Sequence, residues 1–158
     1  LGITPVAGFS SQTFNILGDG VFGNSSGAVT GTQPYPSFAG DFASIYQMSS
    51  SGAAGVLHVA FEGRLAPFQT EVNGVLVDIK GVGASPQYNL KIYAEGSGGT
   101  PVYTSGLTAA PGAITQLSIG GAQLSAQPTG KKRFFVVVEA SIDAGEEVHV
   151  GRPFTTQV

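Results

Sequence analysis

Lys131-Lys-Arg-Phe-Phe-Val-Val-Val-Glu-Ala-Ser-Ile142 is the longest β-favouring run in the chain. Phe134, Val136, Val138 and Ala140 share one face of a strand here, and Phe135 and Val137 share the other. Apolar residues on both faces predict a central strand covered on both sides. Three basic residues lead into it. Asp143-Ala-Gly-Glu146 leads out as a tight hairpin turn, with Gly145 supplying positive φ.

On either side of this run the chain reads as shorter, one-sided strands. Glu147 to Gly151 forms the last of them, and Arg152-Pro153-Phe154 opens a tail. Upstream, Val56 to Leu65 turns Leu57, Val59, Phe61 and Leu65 inward and His58, Glu62 and Arg64 outward. Val75, Val77 and Ile79 alternate with Leu76, Asp78 and Lys80, and Leu90, Ile92 and Ala94 alternate with Lys91, Tyr93 and Glu95. A period of two with one polar face is the mark of a half-buried antiparallel strand. Residues 95–101 form a flexible hairpin loop into Val102 to Thr104, and Ile114 to Ile119 follows the break at Ala110-Pro-Gly112. With about eight short strands, Gly/Pro turns and no convincing helix, the class is all-β. The expected architecture is an antiparallel two-sheet β-sandwich of jelly-roll type with an extended N-terminal arm. An immunoglobulin-like sandwich is second, without its Cys and Trp hallmarks.

The arm is residues 1–52 and the sandwich residues 53–158. The first segment has no Lys or Arg, and Asp19 and Asp41 are its only charges. It carries Phe9, Phe14, Phe22, Tyr35, Phe38, Phe42 and Tyr46 among Gly, Ser, Thr and Pro, with a first strand expected at Phe42 to Met48. Aromatics at this density are not the composition of a disordered segment. They read as anchors, docked either on the chain's own sandwich or on a neighbouring subunit.

The 158 residues suit one domain. Charged residues make up 11% of the chain, against about 25% in a typical soluble domain. That suits a surface covered by partners or by copies of the same chain, or a Ser/Thr/Gly/Gln surface on an extracellular or virion protein. A net charge of −3 offers nothing for general nucleic-acid binding. The absence of Cys removes disulfides, thiolate chemistry and Cys-type zinc sites. No apolar run approaches the roughly 18 residues of a membrane span, so no membrane partner is expected. Leu1-Gly-Ile-Thr-Pro5 has no basic leader region.

No chemistry declares itself. His58 and His149 are the only histidines, each on the polar side of a strand, and Gly-Asn-Ser-Ser-Gly (23–27) lacks the strand-to-helix context of a nucleophile elbow. Of Glu62, Glu71, Glu95, Glu139, Glu146 and Glu147, the last two are adjacent and point to opposite faces, and Glu139 reads as an exposed residue paired with a basic neighbour. Asn15, Asp19 and Asp41 are hard oxygen donors, but no calcium-loop spacing joins them. No catalytic residue, metal or cofactor is therefore expected. The basic cluster 131–133 reads as a gatekeeper keeping an aggregation-prone strand soluble. Tyr93 and Tyr103 flank one hairpin and are the best candidates for an exposed glycan platform.

A Gly/Ser/Thr-rich, Cys-free, charge-poor sandwich with an aromatic-anchored arm resembles the capsid decoration (cement) proteins of tailed bacteriophages. The resemblance covers composition and strand pattern over the whole chain. It implies a non-enzymatic structural protein on the virion surface, a homo-oligomer (a trimer) that clamps the major capsid protein. Phe9, Phe14, Phe22, Tyr35, Phe38 and Phe42 would then be interface residues. The alternative is an extracellular carbohydrate-binding or adhesin-like module that holds glycan on Tyr93 and Tyr103.

Overall fold

A computed structural model describes residues 13–26, 29–32, 45–96, 98–128 and 133–158. Two antiparallel sheets pack face to face. The first runs in the order β2 (Val21–Ser26), β5 (Gly55–Arg64), β11 (Arg133–Ile142), β7 (Gln87–Ala94). Two short strands, β8 (Tyr103–Thr104) and β9 (Thr108–Ala109), both pair with the free edge of β7. In the second sheet the long β6 (Val72–Val82) lies between β10 (Thr115–Gly120) on one side and, on the other, β12 (Glu147–Gly151) and β13 (Phe154–Gln157) laid end to end. β4 (Ile45–Ser50) pairs with β12, β3 (Val29–Thr32) with β4, and β1 (Thr13–Ile16) with β13.

The inner faces interdigitate as the alternation predicts. Phe134, Val136, Val138 and Ala140 of β11, with Val59, Phe61, Leu90 and Ile92 from its neighbours, meet Met48, Val75, Val77, Ile79, Val148 and Val150 of the second sheet, all at most 1% exposed. β11 is central: Val136 stands opposite Phe61 on one side and Ile92 on the other. Among the described residues no second layer covers its other face. Phe135 and Val137 are only half-buried and look outward. This differs from the expected two-sided burial and turns out to matter for the site.

The described residues of the segment expected as an arm supply strands β1 to β4 of the two sheets, so no boundary at 52/53 separates these strands from the sandwich. The reason lies in the aromatics. Phe22 makes an edge-on contact with Tyr46 at 6.1 Å between ring centres, and Tyr46 makes another with Phe61 at 5.0 Å. These anchors find their pockets in the chain's own core, and edge-to-face geometry is favourable for the ring quadrupoles. The backbone of Phe14 lies in β1 opposite Thr156. Phe9, Tyr35, Phe38 and Phe42 lie outside the described residues.

The expected tail is also a strand. Thr155 and Gln157 of β13 are fully buried although polar. Gln157 is satisfied by hydrogen bonds: its Oε1 accepts from the Ala66 amide at 2.8 Å, and its Nε2 donates to the Arg64 carbonyl and to Thr155 Oγ1, both at 3.0 Å. A polar strand of this kind leaves no hydrophobic alternation to read.

Candidate functional site

The outer face of the first sheet carries the side chains that alternate with the core. Register sorts them into rows across the strands. Arg64 stands opposite Arg133; Glu62, Phe135 and Tyr93 form the next row; Val21, Ala60, Val137, Lys91 and Thr104 the third; Gly23, His58, Glu139 and Asn89 the fourth. The second row places two aromatic rings side by side, because directly opposed residues on one face have Cβ atoms about 5 Å apart.

A cleft of about 640 Å³ lies between Tyr93, Phe135, Arg133, Glu95 and the loop glycines Gly96, Gly98 and Gly99. Those three glycines have φ of 93°, 70° and 85°, in the region that a side chain disfavours, so the loop curls tightly to wall the cleft. On the other side of Phe135 a shallower hollow of about 280 Å³ is lined by Gly18, Asp19, Val21, Ala60 and Glu62. Phe135 belongs to both. Together they make a groove across β7, β11, β5 and β2, about 14 Å between the outermost strand axes at the usual sheet spacing.

Charge at the rim is balanced. Glu62 pairs with Arg64 at 3.5 Å and with Arg133 at 3.7 Å, and Arg133 pairs with Glu95 at 3.4 Å. The Glu95 amide also donates to the Arg133 carbonyl at 2.9 Å, which fixes this end of β7 against β11. Asp19, at the far end, is held by the Arg152 guanidinium. Further along the face Thr104 Oγ1 donates to Asn89 Oδ1 at 2.9 Å. The site is an apolar aromatic floor ringed by donors and acceptors.

Several sequence readings find their place here. Tyr93 reaches the outer face, whereas Tyr103 pairs with Ile92 and packs half-buried against the core. Burial of Tyr88, with Tyr103 beside it, pushes the Tyr88 hydroxyl pKa up. Arg133 is part of the groove, while Lys131 and Lys132 lie outside the described residues. Glu139 sits mid-strand between His58 and Asn89. Glu62 and Glu95 converge on one guanidinium, that of Arg133. His149 pairs with Glu147 at 2.8 Å on the opposite sheet. Among the described residues no group of three His, Asp or Glu side chains gathers to hold a metal; of the calcium candidates, Asn15 lies in β1, Asp19 is taken by Arg152 and Asp41 lies outside those residues. Phe135 was missed as a site residue because its apolar character read as core; the two-faced apolar strand was its signal.

No family model matches the chain, and no curated protein does. Among solved structures, TmCBM61 in complex with β-1,4-galactotriose aligns with 94% of this chain and 88% of its own, at 13% identity and a TM-score of 0.56. The fold is similar to that of TmCBM61. A family 11 carbohydrate-binding module from Clostridium thermocellum, in complex with a β-1,3-1,4-mixed-linked tetrasaccharide, aligns with 97% of this chain and 92% of its own, at 12% identity and a TM-score of 0.49.

This corrects the expectation of a capsid decoration protein. The alignment over nearly the whole chain is with a carbohydrate-binding module, and the virion location, the capsid partner and the trimer, which rested on the phage resemblance, lose their basis with it. The physical reason is that composition misled. Low charge and scattered aromatics were read as a surface for neighbours, yet Phe22 and Tyr46 serve the chain's own core.

Proposed function

We propose that the chain is a non-catalytic, extracellular carbohydrate-binding module that takes a neutral glycan segment across the groove on the first sheet. The observation that carries this is the pairing of Phe135 with Tyr93 on an open face, inside a rim of Glu62, Arg133 and Glu95. A pyranose has an apolar C–H face and a rim of hydroxyls. The aromatic floor meets the first, and the rim exchanges hydrogen bonds with the second, as small-ligand sites commonly do. Three carboxylates, Asp19, Glu62 and Glu95, are paired with three guanidiniums, Arg152, Arg64 and Arg133, and give the groove no net pull on a charged sugar. The likeness in fold to a module complexed with β-1,4-galactotriose supports the same reading.

The test is affinity electrophoresis against soluble β-linked galactans, glucans and xylans. Wild type is retarded by at least one of them. Phe135→Ala weakens that retardation about tenfold, the size of an aromatic contact plus its buried area, and Tyr93→Ala weakens it less. Retardation by no glycan, or equal retardation of the Phe135 variant, rejects the proposal.

A further inference from the structure

His58 stands beside the groove on the same open face. Ala60 of β5 and Val21 of β2 are cross-strand partners and line the hollow next to Phe135, and Val21 is 67% exposed although apolar. The next outward residue after Ala60 is His58, and the next after Val21 is Gly23, again partners of one another. A Cβ on Gly23 would run into the Nε2 end of the imidazole, so the glycine leaves the space that the ring fills. The half-buried ring thus reaches from β5 over β2 and borders the hollow on the side away from Glu62. Glu139 of β11, also half-buried, stands opposite His58. Among the described residues neither side chain has a hydrogen-bond or ion-pair partner. Their polar atoms are left to solvent or to a ligand.

We infer that His58 and Glu139 are the specificity-determining pair of the groove, taking the edge hydroxyls of a sugar that lies on Val21, Ala60 and Val137 beside Phe135; this rests on the reading of the groove as a glycan site. The register sets the shape. The row of Glu62 and Phe135 and the row of His58 and Glu139 are four residues apart on β5 and β11, about 13 Å along the strands. On β2, β5 and β11 the row between them is Val21, Ala60 and Val137, short apolar side chains that make a low floor between two taller rows. A pyranose lying on that floor turns its C–H face down and its ring edge toward the imidazole and the carboxylate. A carboxylate only accepts, and a neutral imidazole accepts at one nitrogen and donates at the other. This wall therefore receives hydroxyl hydrogens and returns one. A sugar with no hydroxyl at that edge, or with one turned the other way, leaves the pair unbonded, and unpaired polar groups in a site discriminate far more strongly than apolar contact does. Stacking on Phe135, by contrast, is open to any pyranose.

The experiment titrates β-1,4-linked galacto-, gluco- and xylotriose into wild type, His58→Ala, Glu139→Ala, Gly23→Ala, Phe135→Ala and His149→Ala. His149 lies in β12 on the opposite sheet and serves as the control. Wild type should prefer one of the three sugars. His58→Ala and Glu139→Ala should weaken that sugar about tenfold and the other two less, so that selectivity narrows. Gly23→Ala keeps the imidazole but displaces its tip, and should narrow selectivity as His58→Ala does. Phe135→Ala should weaken all three sugars alike, and His149→Ala none. Unchanged selectivity in His58→Ala or in Glu139→Ala, alongside a weakened Phe135→Ala, overturns the pair and leaves the groove standing. A loss equal for all three sugars overturns it too, since the two side chains then only shape the face. Wild type that binds none of the sugars overturns the pair together with the groove reading.

Discussion

Phe134 and Phe135 are neighbours with opposite roles. The first is 1% exposed and its ring lies over Gly63, its cross-strand partner, where a Cβ would run into it. The second lies on the outer face between Glu62 and Tyr93. Gly63→Ala should therefore destabilise the protein by about 1–3 kcal/mol, the usual cost of overfilling a core, seen as a lower urea midpoint with an unchanged slope. An unchanged midpoint would mean that Phe134 has room to yield. Phe135→Ala, by contrast, is expected under the proposed reading to lower glycan affinity and to leave the urea midpoint nearly unchanged. Sequence made both residues apolar members of a strand. It did not say which face a second layer would cover, because that depends on partners far along the chain.

At the scale of elements, β5, β6, β7, β11 and β12 were legible, since each alternates against a polar face or forms a sustained apolar run. β2, β3 and β13 were not. Val21-Phe-Gly-Asn-Ser-Ser26, Val29-Thr-Gly-Thr32 and Phe154-Thr-Thr-Gln157 have little hydrophobic period, and their pairing with β5, β4 and β6 decides them. The turn from β11 to β12 was read from Gly145, whose φ is indeed 81°. What sequence did not give is its clasp. Glu146 is 5% exposed, and its carboxylate accepts from the Asp143 amide at 2.8 Å and from the Ser85 amide at 2.5 Å, tying this turn to the loop between β6 and β7. The Asp143 amide, ahead of the Ser85 contacts, holds the Glu146 pKa below its ordinary value of 4.5, outweighing burial. A depressed carboxyl pKa contributes stability that is present above the unfolded value and lost as pH falls through the folded one. Glu146→Gln should thus be less stable than wild type at pH 7, and the gap between their urea midpoints should narrow at pH 3. Asp78, whose pKa is raised by burial against the opposing hydrogen bond from Gln116, works in the other direction in both proteins and cancels from the comparison. A gap that stays constant with pH would remove Glu146 from this role.

For the whole molecule, composition narrowed the choice without making it. A chain with 11% charged residues and 24 glycines is compatible with a shell protein and with a glycan module alike. The difference lies in one open face, where Tyr93 was legible and its partner Phe135 was not. The most direct measurement is an amide-resolved NMR titration of the intact chain with a soluble β-linked oligosaccharide such as β-1,4-galactotriose, extended to gluco- and xylo-oligosaccharides. The groove predicts saturable shifts centred on Glu62, Tyr93, Glu95, Arg133 and Phe135, with the amides of β4 and β12 still. Saturable shifts confined to the opposite sheet, or no shifts with any of these sugars, would contradict it.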